Sequence, residues 1–425
     1  MAQGRTTSGL LRLHLSENEL IDYHYMRTLG YQQYGAASVG ECLYAIEQIR
    51  RGNETVEAWV DAWSTLGDHV AERAASELQD GHSRSAHFSY LCAYNYYRAA
   101  EFYFLPPGNA EHTALYRRGL DCFEAAGTLS DPPFEAIEIP YEDGVTLPGF
   151  FFRPAKDKAR RPTVVIVGGG DAYGEEAYFM AGVPLALDRG FNALVFHGPG
   201  QRGLLLRHRG LTFRPDYEVP LRAVMDYTLA RPEVDPKRLA LLGYSLGGYL
   251  GARAVAHDPR IKAAVFNAIM PSFYDYMIGG IRGELPGLLG DGIANGLENL
   301  PAGIVNWLGR RLMGKSPIHR ATAELYMFWA NGITTFAEYL ETIKAYTIYG
   351  LEARITCPTF VVQGEGEGAV PRHMATDYLA GISSPTKYQL LTVQNGADNH
   401  CGLGNLRYTH QTMYDWLADV LKVTG

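Results

Sequence analysis

Two rhythms of apolar and polar residues divide this chain. Up to about residue 130, apolar positions recur at helical spacing. One amphipathic stretch opens at Glu17-Asn18-Glu19-Leu20, a second runs from Val39 to Ile49 and a third from Thr55 to Leu78. Ser89 to Phe104 then carries Tyr90, Tyr94, Tyr96, Tyr97, Phe102, Tyr103 and Phe104, and stops at Pro106-Pro107. Such a band predicts ring packing between helices, with the hydroxyl-bearing Tyr94, Tyr97 and Tyr103 as candidates for a pocket wall. Pro132-Pro133 marks the boundary of an all-helical domain, 1–132.

Beyond that boundary short apolar runs alternate with helical stretches, which predicts a mostly parallel sheet with helices on its faces. Phe134 to Tyr141 and Val145 to Arg153 form a strand pair turning at Asp143-Gly144. Buried strands follow at Thr163 to Val167, Ala193 to Phe196, Leu239 to Leu242, Ala263 to Phe266, Thr359 to Val362 and Tyr388 to Val393. The strand rhythm vanishes between Met270 and about Tyr346, in a stretch holding Gly279-Gly280, Gly287, Gly290, Trp307 and Trp329. It is too long for a plain loop and predicts an inserted helical cap at 271–345, between core segments 133–270 and 346–425.

Leu239-Ala240-Leu241-Leu242 runs straight into Gly243-Tyr244-Ser245-Leu246-Gly247, and a small-residue helix follows from Gly248. A strand entering a sharp turn, with serine at its apex and glycine on both sides, lifts the hydroxyl above the sheet edge. Strand before and helix after form the context that separates a nucleophile turn from an ordinary glycine turn. The expected fold is therefore the α/β-hydrolase fold.

A nucleophilic serine needs a base, and the base needs an acid to fix its tautomer and stabilise its cation. In this fold the two follow in the order acid, then histidine, each in a loop after a late strand. The loop Gly364-Glu365-Gly366-Glu367-Gly368-Ala369-Val370-Pro371 is similar to the hydrolase pattern H-G-x-x-D-x-x-V-P and puts Glu367 at the acid position. Glu365 and Asp275 are its competitors. His400, in Gly396-Ala397-Asp398-Asn399-His400-Cys401-Gly402 after the last strand, is the expected base. The helix from Asn405 to Val423 then closes the domain.

The oxyanion formed on attack needs backbone N–H donors. Leu246, after the nucleophile, and Asp171, in the Gly168-Gly169-Gly170-Asp171-Ala172 loop, are the expected pair. Gly198-Pro199-Gly200-Gln201-Arg202-Gly203 spells G-x-G-x-x-G after a strand, but no helix is expected to open there and Pro215 closes the segment. A dinucleotide site is therefore not expected.

Composition narrows the partners. The chain has 425 residues, 47% hydrophobic and 20% charged, with a formal charge of -8. These values suit a soluble globular protein and argue against nucleic acid as the main partner. The cluster Arg202, Arg207, Arg209 and Arg214 is expected to lie in a solvated loop rather than at a phosphate. No apolar run reaches the roughly 18 residues of a membrane span, and Met1 to Ser16 lacks the apolar centre of a signal peptide. Five scattered cysteines without a C-x-x-C predict a reduced, cytoplasmic protein. The expected partner is a small-molecule substrate, with no cofactor and no metal; a homodimer stays open.

The combination of Gly168-Gly169-Gly170-Asp171, Glu175-Glu176, Gly198-Pro199-Gly200-Gln201, Asp216-Tyr217-Glu218, Ser245 and Asn399-His400-Cys401 resembles one branch of the α/β-hydrolases. That branch carries an N-terminal helical domain. It includes dihydroxypseudooxynicotine hydrolase and fungal pigment-pathway hydrolases that shorten a polyketide chain. The resemblance covers most of 134–425. In the helical part it rests on Tyr97-Arg98-Ala99-Ala100-Glu101 and Leu115-Tyr116-Arg117-Arg118. It implies hydrolysis of a carbon–carbon bond next to a ketone, on a bulky polyketide-like or aromatic substrate held in a deep pocket roofed by the helical domain. Two departures stand out: Glu367 replaces the usual triad Asp, and His197 replaces the Asp usual before Gly-Pro-Gly-Gln. Esterase or thioesterase chemistry and acyl transfer or cyclisation use the same machinery and stay open. A non-catalytic binding protein on this fold would show a broken triad.

Overall fold

The computed structural model describes residues 10–284, 296 and 300–423. Five helices come first: α1 (Glu19–Gly30), α2 (Val39–Arg51), α3 (Val56–Gln79), α4 (Ser83–Glu101) and α5 (Ala110–Thr128). Side-chain caps start three of them. Asn18 accepts from the Leu20 and Ile21 amides, Thr55 from Ala58 and Asn109 from His112, each satisfying an N–H that the first turn leaves without a partner. The helix α4 packs between α3 and α5.

Eight strands follow: β1 (Glu135–Pro140), β2 (Thr146–Phe152), β3 (Arg161–Val167), β4 (Asn192–Phe196), β5 (Val234–Tyr244), β6 (Ala263–Asn267), β7 (Thr359–Gly364) and β8 (Thr386–Leu391). They form one sheet in the order β1-β2-β4-β3-β5-β6-β7-β8. The β1–β2 and β2–β4 pairs are antiparallel and every later pair is parallel. Alternate residues of β5 serve opposite faces, as strand geometry requires: Ala240, Leu242 and Tyr244 join one apolar cluster, Leu239 and Leu241 the other. The first cluster runs without a break from Trp59 and Trp63 through Phe123 and Phe179 to Val164 and Leu242. The N-terminal helices are thus packed onto one face of the sheet.

Between β6 and β7 the chain forms the helices Phe273–Glu284, Ala302–Met313, Pro317–Thr322 and Phe336–Ile343, with a π-helical turn at Ala323–Phe328. Gly287 and Gly290, expected in this insertion, lie outside the described residues.

Three sequence expectations need correction. The last strand begins at Thr386 rather than Tyr388 and ends before Val393. It lies at the sheet edge, so its first residues are exposed and carry no apolar signature. A helix does open after the G-x-G-x-x-G, at Arg202–Arg207, although it is only 6 residues long. Arg202 itself is buried and not in a solvated loop. Its Nε lies 3.1 Å from a Glu101 carboxylate oxygen, and the guanidinium sits 5.0 Å from each of the Tyr326 and Trp329 ring centres. An ion pair to a remote helix and two aromatic faces offset the cost of burying that charge.

Candidate active site

The parallel strands all point their C-terminal ends to one edge, and the loops leaving β3, β5, β7 and β8 meet there. Ser245 follows β5 with φ +57, a left-handed conformation that costs a non-glycine residue about 1–3 kcal/mol. Its amide donates to Asn267 O at 3.0 Å, and Gly248 N donates back to Ser245 O at 2.8 Å, which closes the turn. The flanking glycines are required by close approach. A Cβ on Gly243 would lie 2.2 Å from Gly247 O, and one on Gly247 would lie 2.1 Å from Val167 O.

The Ser245 hydroxyl lies 2.8 Å from His400 Nε2, and His400 Nδ1 lies 3.0 Å from Glu367 Oε2. This chain of contacts fixes the tautomer: Nδ1–H donates to the carboxylate, leaving Nε2 to accept the serine proton. The Glu367 carboxylate is buried, and its other oxygen accepts from Gly364 N at 3.1 Å. Of the two competitors, Glu365 turns away and accepts from Val393 N at 3.1 Å. Asp275 is exposed in the first turn of the helix Phe273–Glu284. Burial pulls the His400 imidazole toward neutrality. The Cys401 sulfur and the Glu367 carboxylate beside it outweigh that, and hold its pKa well above the ordinary histidine value.

Asn267, at the end of β6, joins the two loops, since its Nδ2 donates to Cys401 O at 2.9 Å while its carbonyl receives Ser245 N. The loop carrying His400 is also held from the N-terminal segment. Leu10 N and Leu11 N donate to Asp398 Oδ2 at 2.6 and 3.0 Å, and Asn399 Nδ2 donates to Leu11 O.

Leu246 follows the nucleophile directly and Asp171 lies in the loop after β3, and neither amide donates to an acceptor among the described residues. Gly169 brings this loop against the serine, for a Cβ there would lie 2.7 Å from Ser245 Cβ. Gln201 Nε2 donates to Gly168 O at 3.0 Å and steadies the start of this loop. A small cavity beside it is lined by Gly170, Asp171, Ala172, Arg202, Leu325 and Tyr326.

The aromatic band mostly packs. Tyr94 lies against Phe123 and Phe179, Tyr103 against Trp59 and His24, and the Tyr97 hydroxyl donates to Asp68 on α3. The rings that sense the site electrostatically are others. Burial pushes the half-buried Tyr23 and Tyr276 phenols up, and the charge of His400 pulls both down. Neither has a motif around it in the sequence.

His197, the second departure, is buried, with Nε2–H donating to Glu175 at 3.0 Å and Nδ1 accepting from Gly203 N at 3.1 Å. Tyr116 of α5 donates to the same carboxylate at 2.7 Å. The histidine thereby helps to anchor the helices to the core rather than reaching the serine. All five cysteines are free and buried. Among the described residues no cluster of metal-ligating side chains is present, and no helix is long and apolar enough to cross a membrane.

Comparison with known proteins covers both parts of the chain. A model of the α/β-hydrolase fold matches residues 162–399, and an esterase FrsA-like model matches residues 41–273. The chain is 30% identical over 416 residues to hydrolase LUC6 of Fusarium sp, covering 95% of this chain and 96% of the relative. It is 29% identical over 431 residues to 20-hydroxy-prefusarin hydrolase FUS2 of Gibberella moniliformis, covering 96% and 97%. The alpha/beta hydrolase psoB of Aspergillus fumigatus is 31% identical over 441 residues, covering 95% and 93%. Among solved structures, 2,6-dihydroxy-pseudo-oxynicotine hydrolase superposes with a TM-score of 0.69 at 22% identity, covering 92% of this chain and 95% of that one. Sheet order, nucleophile turn and full-length relatives converge, and the chain belongs to the α/β-hydrolase family.

Proposed function

We propose that this protein is a serine hydrolase that cleaves a carbon–carbon bond next to a ketone in a bulky, polyketide-like or aromatic substrate. The observation that carries the catalytic part is the continuous contact from Ser245 through His400 to Glu367, at 2.8 and 3.0 Å. Ser245 Oγ attacks the ketone carbon while His400 Nε2 takes its proton. The Leu246 and Asp171 amides receive the developing oxyanion. Collapse of the tetrahedral adduct breaks the carbon–carbon bond, and the departing enolate takes its proton at carbon from the His400 imidazolium. Water, deprotonated by His400, then hydrolyses the acyl-Ser245 ester and releases a carboxylic acid.

The choice of leaving group is supported by the company the chain keeps over its full length. That company includes a hydrolase named for 20-hydroxy-prefusarin and one named for 2,6-dihydroxy-pseudo-oxynicotine. The N-terminal part of the chain also reaches the site, through Leu10 and Leu11 docked on Asp398 and through Tyr23 of α1, whose phenol feels the His400 charge.

A second reading, hydrolysis of an ester or thioester, is favoured by the esterase-like match over residues 41–273. It differs only in that an alkoxide or thiolate leaves. Incubation with an aryl β-diketone and a matched aryl ester separates the two. Release of a carboxylic acid and a methyl ketone from the diketone supports carbon–carbon cleavage. Turnover of the ester alone refutes it.

A further inference from the structure

The loop that carries the Asp171 amide is built from three glycines in a row, Gly168-Gly169-Gly170, which supply no side chains to lock it. Gln201 holds its first two carbonyls, at 3.0 and 3.4 Å. At the far end the tether comes from outside the hydrolase core. Arg27 of α1 donates from Nη1 to Asp171 Oδ2 at 2.6 Å. The same guanidinium grips Glu176 in a two-pronged contact, Nε to Oε1 at 2.8 Å and Nη2 to Oε2 at 2.6 Å. Tyr31 donates to Glu176 Oε1 at 2.5 Å, and Arg98 Nη1 lies 3.2 Å from it. Arg27, Arg98 and Glu176 are all at least 98% buried, so the fork is rigid and water does not compete for it. Among the described residues, the Asp171 side chain, one-third exposed, is the only partner of Arg27 on the glycine loop.

We infer that Arg27 is a positioning residue for catalysis: by holding the Asp171 carboxylate from the N-terminal helices, it places the Asp171 amide where the oxyanion develops. This rests on the serine-hydrolase mechanism proposed above. Hydrogen bonds to an oxyanion lose most of their value when a donor is displaced by about 1 Å, because the transition state has no time to reorganise the loop. The fold thereby gives α1 a reason to sit on the hydrolase core beyond covering apolar surface.

The test uses the full chain, a p-nitrophenyl ester, and two ketone inhibitors of matched size. A trifluoromethyl ketone adds Ser245 Oγ to its carbonyl, sends the serine proton to His400 and places an oxyanion in the hole. The corresponding methyl ketone binds without adding. Asp171→Ala keeps the amide and removes the tether. It is expected to lower kcat by ~10- to 100-fold with KM within threefold, and to weaken the trifluoromethyl ketone in proportion while leaving the methyl ketone unchanged. Asp171→Asn retains an acceptor for Arg27 and should recover most of both losses. Arg27→Gln should behave like Asp171→Ala; if its buried partners prevent folding, the Asp171 pair decides. A kcat and a trifluoromethyl ketone affinity for Asp171→Ala within threefold of the parent, or higher, overturn the inference, since the carboxylate then does no more than neutralise Arg27. Ser245→Ala separates the two levels. If it is inactive while Asp171→Ala is unimpaired, only the positioning role fails. If it turns over normally, the mechanism beneath it fails too.

Discussion

Glu367, not Glu365, meets His400: its Oε2 lies 3.0 Å from Nδ1, while Glu365 two residues earlier is spent on the Val393 amide. Both follow the same strand. The turn Glu365–Glu367 at the end of β7 sends one carboxylate inward under the histidine and the other toward the loop after β8. The longer side chain of glutamate thus fills the position where the resembled hydrolases use aspartate, with its second oxygen held by Gly364 N.

That division of labour gives a sharp mutational contrast. Glu367→Gln should cost about 10³–10⁴ in kcat, because the imidazolium loses its counter-charge. Glu365→Gln should cost less than about tenfold, as it touches only a backbone amide. Steady-state kinetics on one ester rank the two, and the reverse ranking would move the acid by two residues.

Removing the nucleophile should be more severe. Ser245→Ala is expected to lower kcat by about 10⁴–10⁶ with the fold intact, since the triad acts as a unit. Fluorophosphonate labelling should disappear with it. Circular dichroism and turnover, measured together, check both halves of this statement.

The pH dependence follows from the direction of the His400 shift. Catalysis needs the neutral imidazole, so kcat/KM should rise with pH. The midpoint of its acid limb should lie above the ordinary histidine value of about 6.5, because the Cys401 sulfur and Glu367 hold the proton against burial. Stability runs the other way. A folded pKa above the unfolded one contributes stability that is fully present below about pH 6.5 and is lost as pH rises through the folded value. Glu367→Gln should therefore move the kinetic limb to lower pH and flatten the stability change. A limb that stays put in that variant would show that Glu367 does not set the titration.

The shared core of helices and sheet predicts a single cooperative unit. Trp59 is buried, stacks on Tyr25 at 5.4 Å and donates its indole N–H to Ala99 O at 2.6 Å. Trp59→Ala should cost about 3–5 kcal/mol of stability. It should lower the urea midpoint of tryptophan fluorescence and of enzymatic activity together. Loss of the helical signal with activity retained at the same urea concentration would show that the two parts unfold independently.

Local sequence was enough for the parts of this site that depend on backbone conformation. The strand running into Gly243-Tyr244-Ser245-Leu246-Gly247 announces its turn because only glycine fits where Gly247 O and Val167 O approach within 2.2 Å of a would-be Cβ. Glu367 was legible because it follows the apolar strand β7 by three residues, and His400 because it lies between the last strand and the closing helix, so chain order alone fixes their edge of the sheet. Strand β8 was misplaced by two residues because an edge strand exposes one side and need not be apolar. Pairings between distant side chains left no such trace. Arg27 lies 144 positions before Asp171, and Arg202 lies about a hundred after Glu101, in a cluster that reads as a charged loop. Whether an arginine is solvated or buried depends on what arrives opposite it, and sequence spacing carries no information about that. Tertiary structure alone decided that Arg27 of α1 would hold Asp171 at the end of the glycine loop, because the glycines there have no side chains with which to do so themselves.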